Sequence, residues 1–493
     1  MIRAASLGDR DALRRAERHA LRVAQEATAS VPAYGRFLRR AGYDARRLRS
    51  FADFCALPVM DKASYLQPFS LAERCRSGDL ARSYVVITSS GTGGPATLWP
   101  RYPEQEGPTV AGVRTMLQEH FRIHDRWTLM VIAAAMGPWA FGTGMTLVAQ
   151  RIFSDPDVRG TVVTPGLNQD EALRFVDQLA RHYDQTILVG YPTLLPPLLE
   201  AGERQGIAWR TLDASAVAAG EPASEAQRER IAEYLGKDPE RLQGFVSVYG
   251  ASEVAGTIGY ETRLCLLLRR LCARAPALAE ALFGTAIMPS LVQYNPLSHF
   301  LEVVDGEVLL TMRGAVPLIR YNTHDRGGLL SYEEVLSTCR AQGYDLQEEL
   351  RARGCDPSDL RPWPLLFVQG RSDAITVHSV NVYLEEVAHA LEQPALRATN
   401  TGNFEVSVTS SPQGLVTIHV LVELREGVAC DDGLPALYQQ RVLAGLVEIS
   451  PRFRATYEAS RERTALKAEL VPYGTLQGRG PKQQRVLLPH EAG

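Results

Sequence analysis

No two of the seven cysteines form a CxxC pair, their spacing is wide and their number is odd. That pattern argues against a cysteine-based zinc site and against a disulfide framework, and it suits a reduced compartment. Nor does any stretch approach the roughly 20 apolar residues that a membrane-spanning helix requires. The longest apolar windows, near 129–135 and 264–268, are far shorter. The amino-terminal stretch MIRAASLGDRDALRRAERHA is charged throughout and lacks the apolar centre of a signal peptide. Charge of one sign is also lacking: the formal net charge is −3, so nothing steers the whole molecule to nucleic acid or to an anionic membrane. Internal repeats and low-complexity tracts are missing, and the histidines suggest no metal site. The expectation is a cytoplasmic protein with no nucleic-acid or membrane partner.

What remains is an ordinary globular composition, 45% hydrophobic and 22% charged, in a chain of 493 residues. This length suits one large domain with a smaller companion. From about 11 to 40 the apolar residues recur at helical steps, punctuated by Pro32 and Gly42. Short apolar runs at 128–135, 160–165, 185–190, 215–220 and 244–250 then read as buried strands. They alternate with amphipathic stretches at 170–182 and 224–234. Buried strands alternating with helices predict an α/β fold with a largely parallel sheet. A Leu-, Ala- and Arg-rich stretch at 262–283 breaks the rhythm and reads as a helical insertion near the substrate side. From about 370 the pattern restarts as strand, helix, two hydrophobic strands, helix and final strand, enough for a small α+β domain. The division predicted is 1–369 and 370–493.

The densest chemical signal is Val86-Ile87-Thr88-Ser89-Ser90-Gly91-Thr92-Gly93-Gly94-Pro95-Ala96-Thr97, a strand running into a loop of hydroxyl residues and glycines. Glycines let backbone N–H groups converge on an anion, and the hydroxyls add donors. No GKS or GKT follows, so this is not a Walker loop. The sequence alone leaves open a phosphate cradle or a plain surface loop. Val248-Tyr249-Gly250-Ala251-Ser252-Glu253 ends a strand with an aromatic ring and a carboxylate. Tyr249 suits stacking on a nucleobase and Glu253 suits Mg²⁺, which takes one or two carboxylates together with substrate phosphates. A turn with a solvated glutamate is the other reading. Three further elements follow: Pro317 to Asp325 (PLIRYNTHD), Gly370-Arg371-Ser372-Asp373, and a glycine-rich tail at 473–485 that presents Lys482.

The order of these elements resembles the adenylate-forming superfamily of acyl-CoA synthetases, luciferases and peptide-synthetase adenylation domains. Within it, the chain looks most like the phenylacetate–CoA ligase branch over nearly its whole length. Val31-Pro32-Ala33-Tyr34 and Leu57-Pro58-Val59-Met60-Asp61-Lys62 are similar to that branch's early segments. The loop at 89–97 is similar to its SSGTTGKPT, Gly190-Tyr191-Pro192-Thr193 to its GTPSY, and Ala219-Gly220-Glu221-Pro222 to its GAEP. Tyr249 to Glu253, Pro317 to Asp325 and Gly370 to Asp373 follow as YGxSE, PLIRYrTrD and GRxDD.

The resemblance implies a large mixed, largely parallel α/β domain and a small mobile one, with ATP and Mg²⁺ as cofactors. Ser89, Ser90, Gly91 and Thr92 would cradle the triphosphate. Gly220, Glu221 and Pro222 would line the adenine with Tyr249 against its face and Gly250 beside it. Glu253 would hold the metal and Asp325 the ribose hydroxyls. Arg371 would approach ribose and phosphate, Asp373 would be the hinge, and Lys482 would bridge the acid's carboxylate and the α-phosphate. By the same resemblance Trp139, Phe141, Tyr191, Ala251, Thr257, Ile258 and Gly259 would form the acid pocket, with Trp139 and Phe141 either its apolar wall or ordinary core aromatics.

Two positions depart from the pattern. Pro95 stands where the phosphate loop of relatives carries lysine. Ser379, in His378-Ser379-Val380-Asn381-Val382, stands where CoA-using relatives commonly carry a glycine against the pantetheine arm. The expected function is therefore an acid–CoA ligase acting on an aryl or cyclic acid. The alternative is an amide-forming ligase that passes the acyl group to an amino acid or amine. A non-catalytic adenylate-binding protein is a third option, disfavoured by the presence of Glu253, Asp325 and Lys482. The partners expected are the acid, ATP, CoA or an amine, and optionally a second copy of the chain.

Overall fold

The computed structural model describes residues 9–476 except 89–96, 193, 221, 224, 255, 287, 372–374, 378–379, 383, 411–415 and 432. The chain opens with a helix, Asp9–Ser30, whose Ala16, Ala20, Val23, Ala24 and Ala27 are buried along one stripe. Pro32 sits at the first position of a second helix, Pro32–Arg40, so the single amphipathic stretch expected there is two helices.

A two-stranded antiparallel ribbon follows, β1 (Val85–Thr88) with β2 (Leu98–Arg101). Eleven described strands then build the main sheet. The first five are β3 (Thr128–Ala133), β4 (Gly160–Val163), β5 (Gln185–Gly190), β6 (Ala214–Ala219) and β7 (Phe245–Ala251). They run parallel in the order β4-β3-β5-β6-β7. The sheet continues antiparallel through β8 (Gly256–Tyr260), β9 (Ser290–Tyr294), β10 (Phe300–Val304), β11 (Glu307–Met312), β12 (Leu318–Leu330) and β13 (Leu365–Arg371), in the order β8-β9-β13-β12-β11-β10. The apolar runs read from the sequence thus form the parallel half.

Every residue of β5 and β6 is buried, because helices cover both faces of the parallel half. Alternate residues of each strand feed two separate cores. Met130, Ile132, Ile187, Val189 and Val217 point to the side of helices Glu106–Phe121 and Ala140–Phe153. Leu129, Val131, Leu188, Ala216 and Ala218 point to the side of helices Gln169–Leu179, Leu195–Arg204 and Glu225–Leu235. Each fully buried aliphatic side chain contributes about 1.5–3 kcal/mol.

The stretch at 262–283 forms two helices, Arg263–Arg274 and Pro276–Phe283. They pack with Val335, Cys339, Leu346 and Leu350 into a core of their own. A buried ionic cluster ties them to the sheet. Glu261, with no exposed surface, accepts from Arg228 (2.8 Å), from Arg269 (2.6 Å) and from the Ser247 backbone N–H (2.6 Å). Arg269 and Arg270 also hold Glu225, at 2.5 and 2.8 Å.

Beyond β13 come a short ribbon, β14 (Ile375–Val377) with β15 (Val380–Val382), and a three-stranded sheet. Its strands are β16 (Asn400–Ser410), β17 (Val416–Leu424) and β18 (Thr464–Val471), the last pair parallel. The single strand expected after Gly370 is a hairpin. Helices Leu384–Leu391 and Leu434–Ile449 cover the small sheet, and among the described residues its core runs from Ile375 to Leu470. No helix among the described residues is long and apolar enough to cross a membrane. All seven cysteines are free thiols.

Candidate active site

Parallel α/β sheets present their binding crevices at the carboxyl ends of the strands. Here a pocket of about 90 Å³ opens there, on the side of helices 106–121 and 140–153. Tyr191 follows β5, Gly220 follows β6, and Val248, Gly250, Ala251 and Ser252 close the pocket from β7. Thr109, Val113, Met145 and Val148 come from the two helices, and among the described residues no charged side chain lines the pocket.

Trp139 and Phe141 both line it and are only partly buried, packed against the core rather than within it. Phe141 meets Tyr191 edge-on, with ring centroids 5.4 Å apart. Thr88 is also in the lining. Its backbone N–H donates to the Pro138 carbonyl at 2.7 Å, and Thr88 bridges Trp139. The strand leading to the hydroxyl-rich loop is therefore bonded directly to the aromatic wall.

Of the residues assigned to the acid pocket, Trp139, Phe141, Tyr191, Ala251 and Thr257 line it. Ile258 and Gly259 do not line it. Strand alternation turns Ile258 into the core, where it is 4% exposed. Gly259 lies under β9, where a Cβ would come within 2.7 Å of the Gln293 carbonyl. Gly256 and Thr257 form that wall instead. None of the lining residues comes from 262–283, so the two helices there lie away from the pocket, drawn off by the Glu261 cluster. Gly250 is needed as glycine: a Cβ would stand 2.4 Å from the Gly256 carbonyl, where β7 and β8 close on each other. Gly220 needs the same freedom for a different reason, its φ of +88°.

The other motifs converge beside this pocket. The Tyr249 hydroxyl donates to Asp325 at 2.5 Å. Two residues with left-handed backbone, Arg320 (φ 48°) and His324 (φ 59°), kink β12 ahead of that carboxylate. Arg320 is held by the carbonyls of Cys55 and Leu57, both at 2.6 Å, and by Glu302 at 3.2 Å. Met60 exchanges backbone hydrogen bonds with Arg320 and Asn322. These contacts bring the early LPVMDK segment onto the PLIRYNTHD strand. Asp325 pairs in register with Arg371 across β12 and β13, so two motif residues are cross-strand neighbours.

Glu253 is half-buried in the turn after β7, and its carboxylate lies 3.5 Å from the Tyr321 hydroxyl. Among the described residues no group of three His, Cys, Asp or Glu could hold a metal. A single carboxylate fits Mg²⁺ only where phosphate oxygens complete its shell, and that fits Glu253. Pro222 is exposed. Ser89, Ser90, Gly91, Thr92, Glu221, Asp373, Ser379 and Lys482 lie outside the described residues, and of Arg371 only the backbone is described.

The pocket residues Thr88, Thr109, Val113, Met145 and Val148 were missed by sequence reasoning. The helix pair Thr109 and Val113 carries a legible signal, a polar and an apolar residue four apart on one face.

No protein-family model and no curated protein matches the chain. Solved structures do. A 2-hydroxyisobutyryl-CoA ligase in its postadenylation state, with an acyl-AMP bound, aligns over 98% of this chain and 90% of its own, at 18% identity and a TM-score of 0.67. The same ligase with 2-HIB-AMP and CoA in its thioesterification state aligns over 99% and 90%, at 18% identity and a TM-score of 0.54. An acyl acid amido synthetase, AtGH3.15 in complex with 2,4-DB, aligns over 98% and 95%, at 12% identity and a TM-score of 0.56. Over the aligned span the chain has the fold that these ligases share.

Proposed function

We propose that this chain is an ATP-dependent acid ligase that makes an acyl-AMP and passes the acyl group to CoA. The observation that carries the reading is the Tyr249–Asp325 bond beside a pocket that, among the described residues, no charged side chain lines. It joins a ring suited to adenine and a carboxylate suited to ribose next to a cavity suited to an apolar acid. The pocket's size and its aromatic wall favour a compact aryl or cyclic body over a long acyl chain.

In the first step a carboxylate oxygen of the acid attacks the α-phosphorus, and the bond to pyrophosphate breaks. In the second, the acceptor's sulfur or nitrogen attacks the acyl carbon, loses its proton, and AMP leaves. Both substrates of the first step are anions, so preorganised positive charge and donors lower its barrier. Lys482 would bridge the two anions, and Ser89, Ser90, Gly91 and Thr92 would hold the triphosphate. Gly220, Glu221, Pro222 and Gly250 would line the nucleotide, with Arg371 near its ribose. Glu253 would hold Mg²⁺, which when bound neutralises phosphate charge. The large part would end at 369 and the small part, from 370, would turn about Asp373 between the steps. The separate core from Ile375 to Leu470 supports that division.

Ser379 favours a second reading, in which an amino acid or amine takes the acyl group. A hydroxymethyl group there would narrow a thiol channel and spare the adenylation residues. The test is pyrophosphate release over a panel of acids, with CoA or an amino-acid mixture as acceptor. Acid-dependent release, lost in Lys482→Ala, is the expected result. Release from no acid, by protein that is folded, would reject the ligase.

A further inference from the structure

Arg101, the last residue of β2, is 3% exposed, and its guanidinium is bonded along one edge only. Nε donates to Oε1 of Glu106 at 2.8 Å, and Nη2 lies 2.6 Å from the same oxygen. Nη1, on the other side of the planar head, is buried and bonds to nothing among the described residues. Buried donors normally find an acceptor, so a free one beside a cavity marks a place for a ligand atom.

That free edge borders the pocket wall. Gly256 and Thr109 both line the pocket. A Cβ on Gly256 would stand 4.0 Å from Arg101 Nη1, 3.7 Å from Thr109 Oγ1 and 3.1 Å from the Thr109 methyl carbon. Arg101 therefore stands just behind the lining, and residue 256 places no side chain in front of it. Thr109 Oγ1 donates to the Gln105 carbonyl at 3.2 Å and, as a hydroxyl oxygen, also has lone pairs with which to accept. One point on the wall is thus flanked by a charged donor and by a hydroxyl that can accept. A hydroxyl group fits both, because it accepts and donates through a single atom. Charge narrows the choice further. Glu106 already neutralises Arg101, so a second carboxylate on the ligand would enter an apolar pocket without a counter-ion.

We propose that Arg101, with Thr109, reads a hydroxyl group on the acid, so that the preferred substrate is a compact hydroxylated aryl or cyclic acid. The inference rests on the acyl-adenylate reading and deepens it by naming the substrate class. An acid with a methyl group in place of that hydroxyl would leave Nη1 buried and unbonded. A site built around a hydrogen bond rejects such an analogue, because its own polar group then goes unpaired.

The test follows acid-dependent pyrophosphate release by the full chain at fixed ATP and Mg²⁺. The probes are benzoates, phenylacetates and cyclohexanecarboxylates, each as its hydroxy, methyl and carboxy derivative at every ring position. The readout is the ratio of kcat/KM for a hydroxy acid to that for its methyl counterpart. In the wild type at least one pair is expected to show a ratio of about ten or more, the effect of a hydrogen bond to a charged group. Arg101→Lys keeps a positive charge for Glu106 and removes the second edge of the fork. It should bring that ratio down by about tenfold, toward one. A wild type that favours no hydroxy acid over its methyl counterpart would overturn the assignment. So would a carboxy derivative preferred to every hydroxy acid. A ratio unchanged in Arg101→Lys, with both rates falling together, would mark the arginine as structural and reject the proposal too. If Arg101→Lys fails to fold, Thr109→Val, which keeps the volume and removes the acceptor, decides. The same ratio must then fall several-fold, and an unchanged one rejects the proposal. Release from no acid, by folded protein, would reject the acyl-adenylate reading as well. Release that is blind to the hydroxyl rejects this inference alone.

Discussion

The hydroxyl of Tyr249 donates to Oδ2 of Asp325 across 2.5 Å, joining residues 76 apart in sequence. The bond fixes an aromatic ring and a carboxylate relative to each other before any ligand arrives. Such preorganisation spares the rotamer entropy that binding would otherwise cost. Tyr249→Phe keeps the ring and removes the tether. A hydrogen bond to a charged group contributes about 1.5–3 kcal/mol, and Asp325 is half-exposed, so water recovers part of that. The expected result is AMP binding weakened by about tenfold, with kcat at saturating ATP little changed. Unaltered AMP affinity would mean that the pair does not serve the nucleotide.

Trp139 lines the pocket and is only partly buried, which separates a wall residue from a core residue. Trp139→Ala should enlarge the acid pocket and shift preference toward bulkier acids, with KM for ATP within about twofold of wild type. A Trp buried in the core would cost about 3–5 kcal/mol on truncation. A half-exposed one should cost clearly less in a urea titration. A variant that loses the larger amount and keeps its acid preference would return Trp139 to the core.

Glu261 has no exposed surface and accepts from two arginines and one backbone N–H. Glu261→Gln keeps the shape and removes the charge that Arg228 and Arg269 share. Breaking a buried ion pair from one side costs about 3–5 kcal/mol. The urea midpoint should fall accordingly, and the helices at 263–283 should exchange amide hydrogens faster than the parallel strands. Loss of stability without that local pattern would show the cluster to be general packing and not the anchor of those helices.

The parallel strands were legible because residues buried on both faces form unbroken apolar runs, as β5 and β6 do. The antiparallel half was less so. β12 spans 13 residues with kinks at Arg320 and His324, and its partner β13 begins 35 residues after it ends. No local periodicity encodes such a pairing. The motif residues Tyr249, Gly250 and Asp325 were legible because each stands in an unusual local pattern. Thr257 lines the pocket and Ile258 does not, because period-two alternation puts them on opposite sides of the strand, which a reading of 257–259 as one face overlooks. The pocket's helical wall was barely legible: Thr109 and Val113 share one helix face, but nothing local says that the face borders a cavity. Val113 and Met145 look like any amphipathic-helix residue until tertiary packing decides which neighbour each one lacks.

The acceptor is where sequence and chemistry part most clearly. Ser379 follows the β14 strand, at a place where CoA-using relatives commonly bring bare backbone against the pantetheine arm. On the proposed function a side chain there would act only on the second step, because the acid, ATP and Lys482 would complete the first without it. Ser379→Gly should therefore leave acid-dependent pyrophosphate exchange unchanged. If the serine narrows the channel, the same variant should raise CoA-dependent turnover several-fold and leave turnover with a small amine as it was. Measuring both half-reactions on one preparation separates these effects from a change in folding, which would depress exchange too. Efficient thioester formation by the unmodified chain, with no amide from any amine tried and no gain in Ser379→Gly, would remove the amide reading. Amide formation by the wild type, with thioester appearing only in the glycine variant, would make residue 379 the determinant of the acceptor.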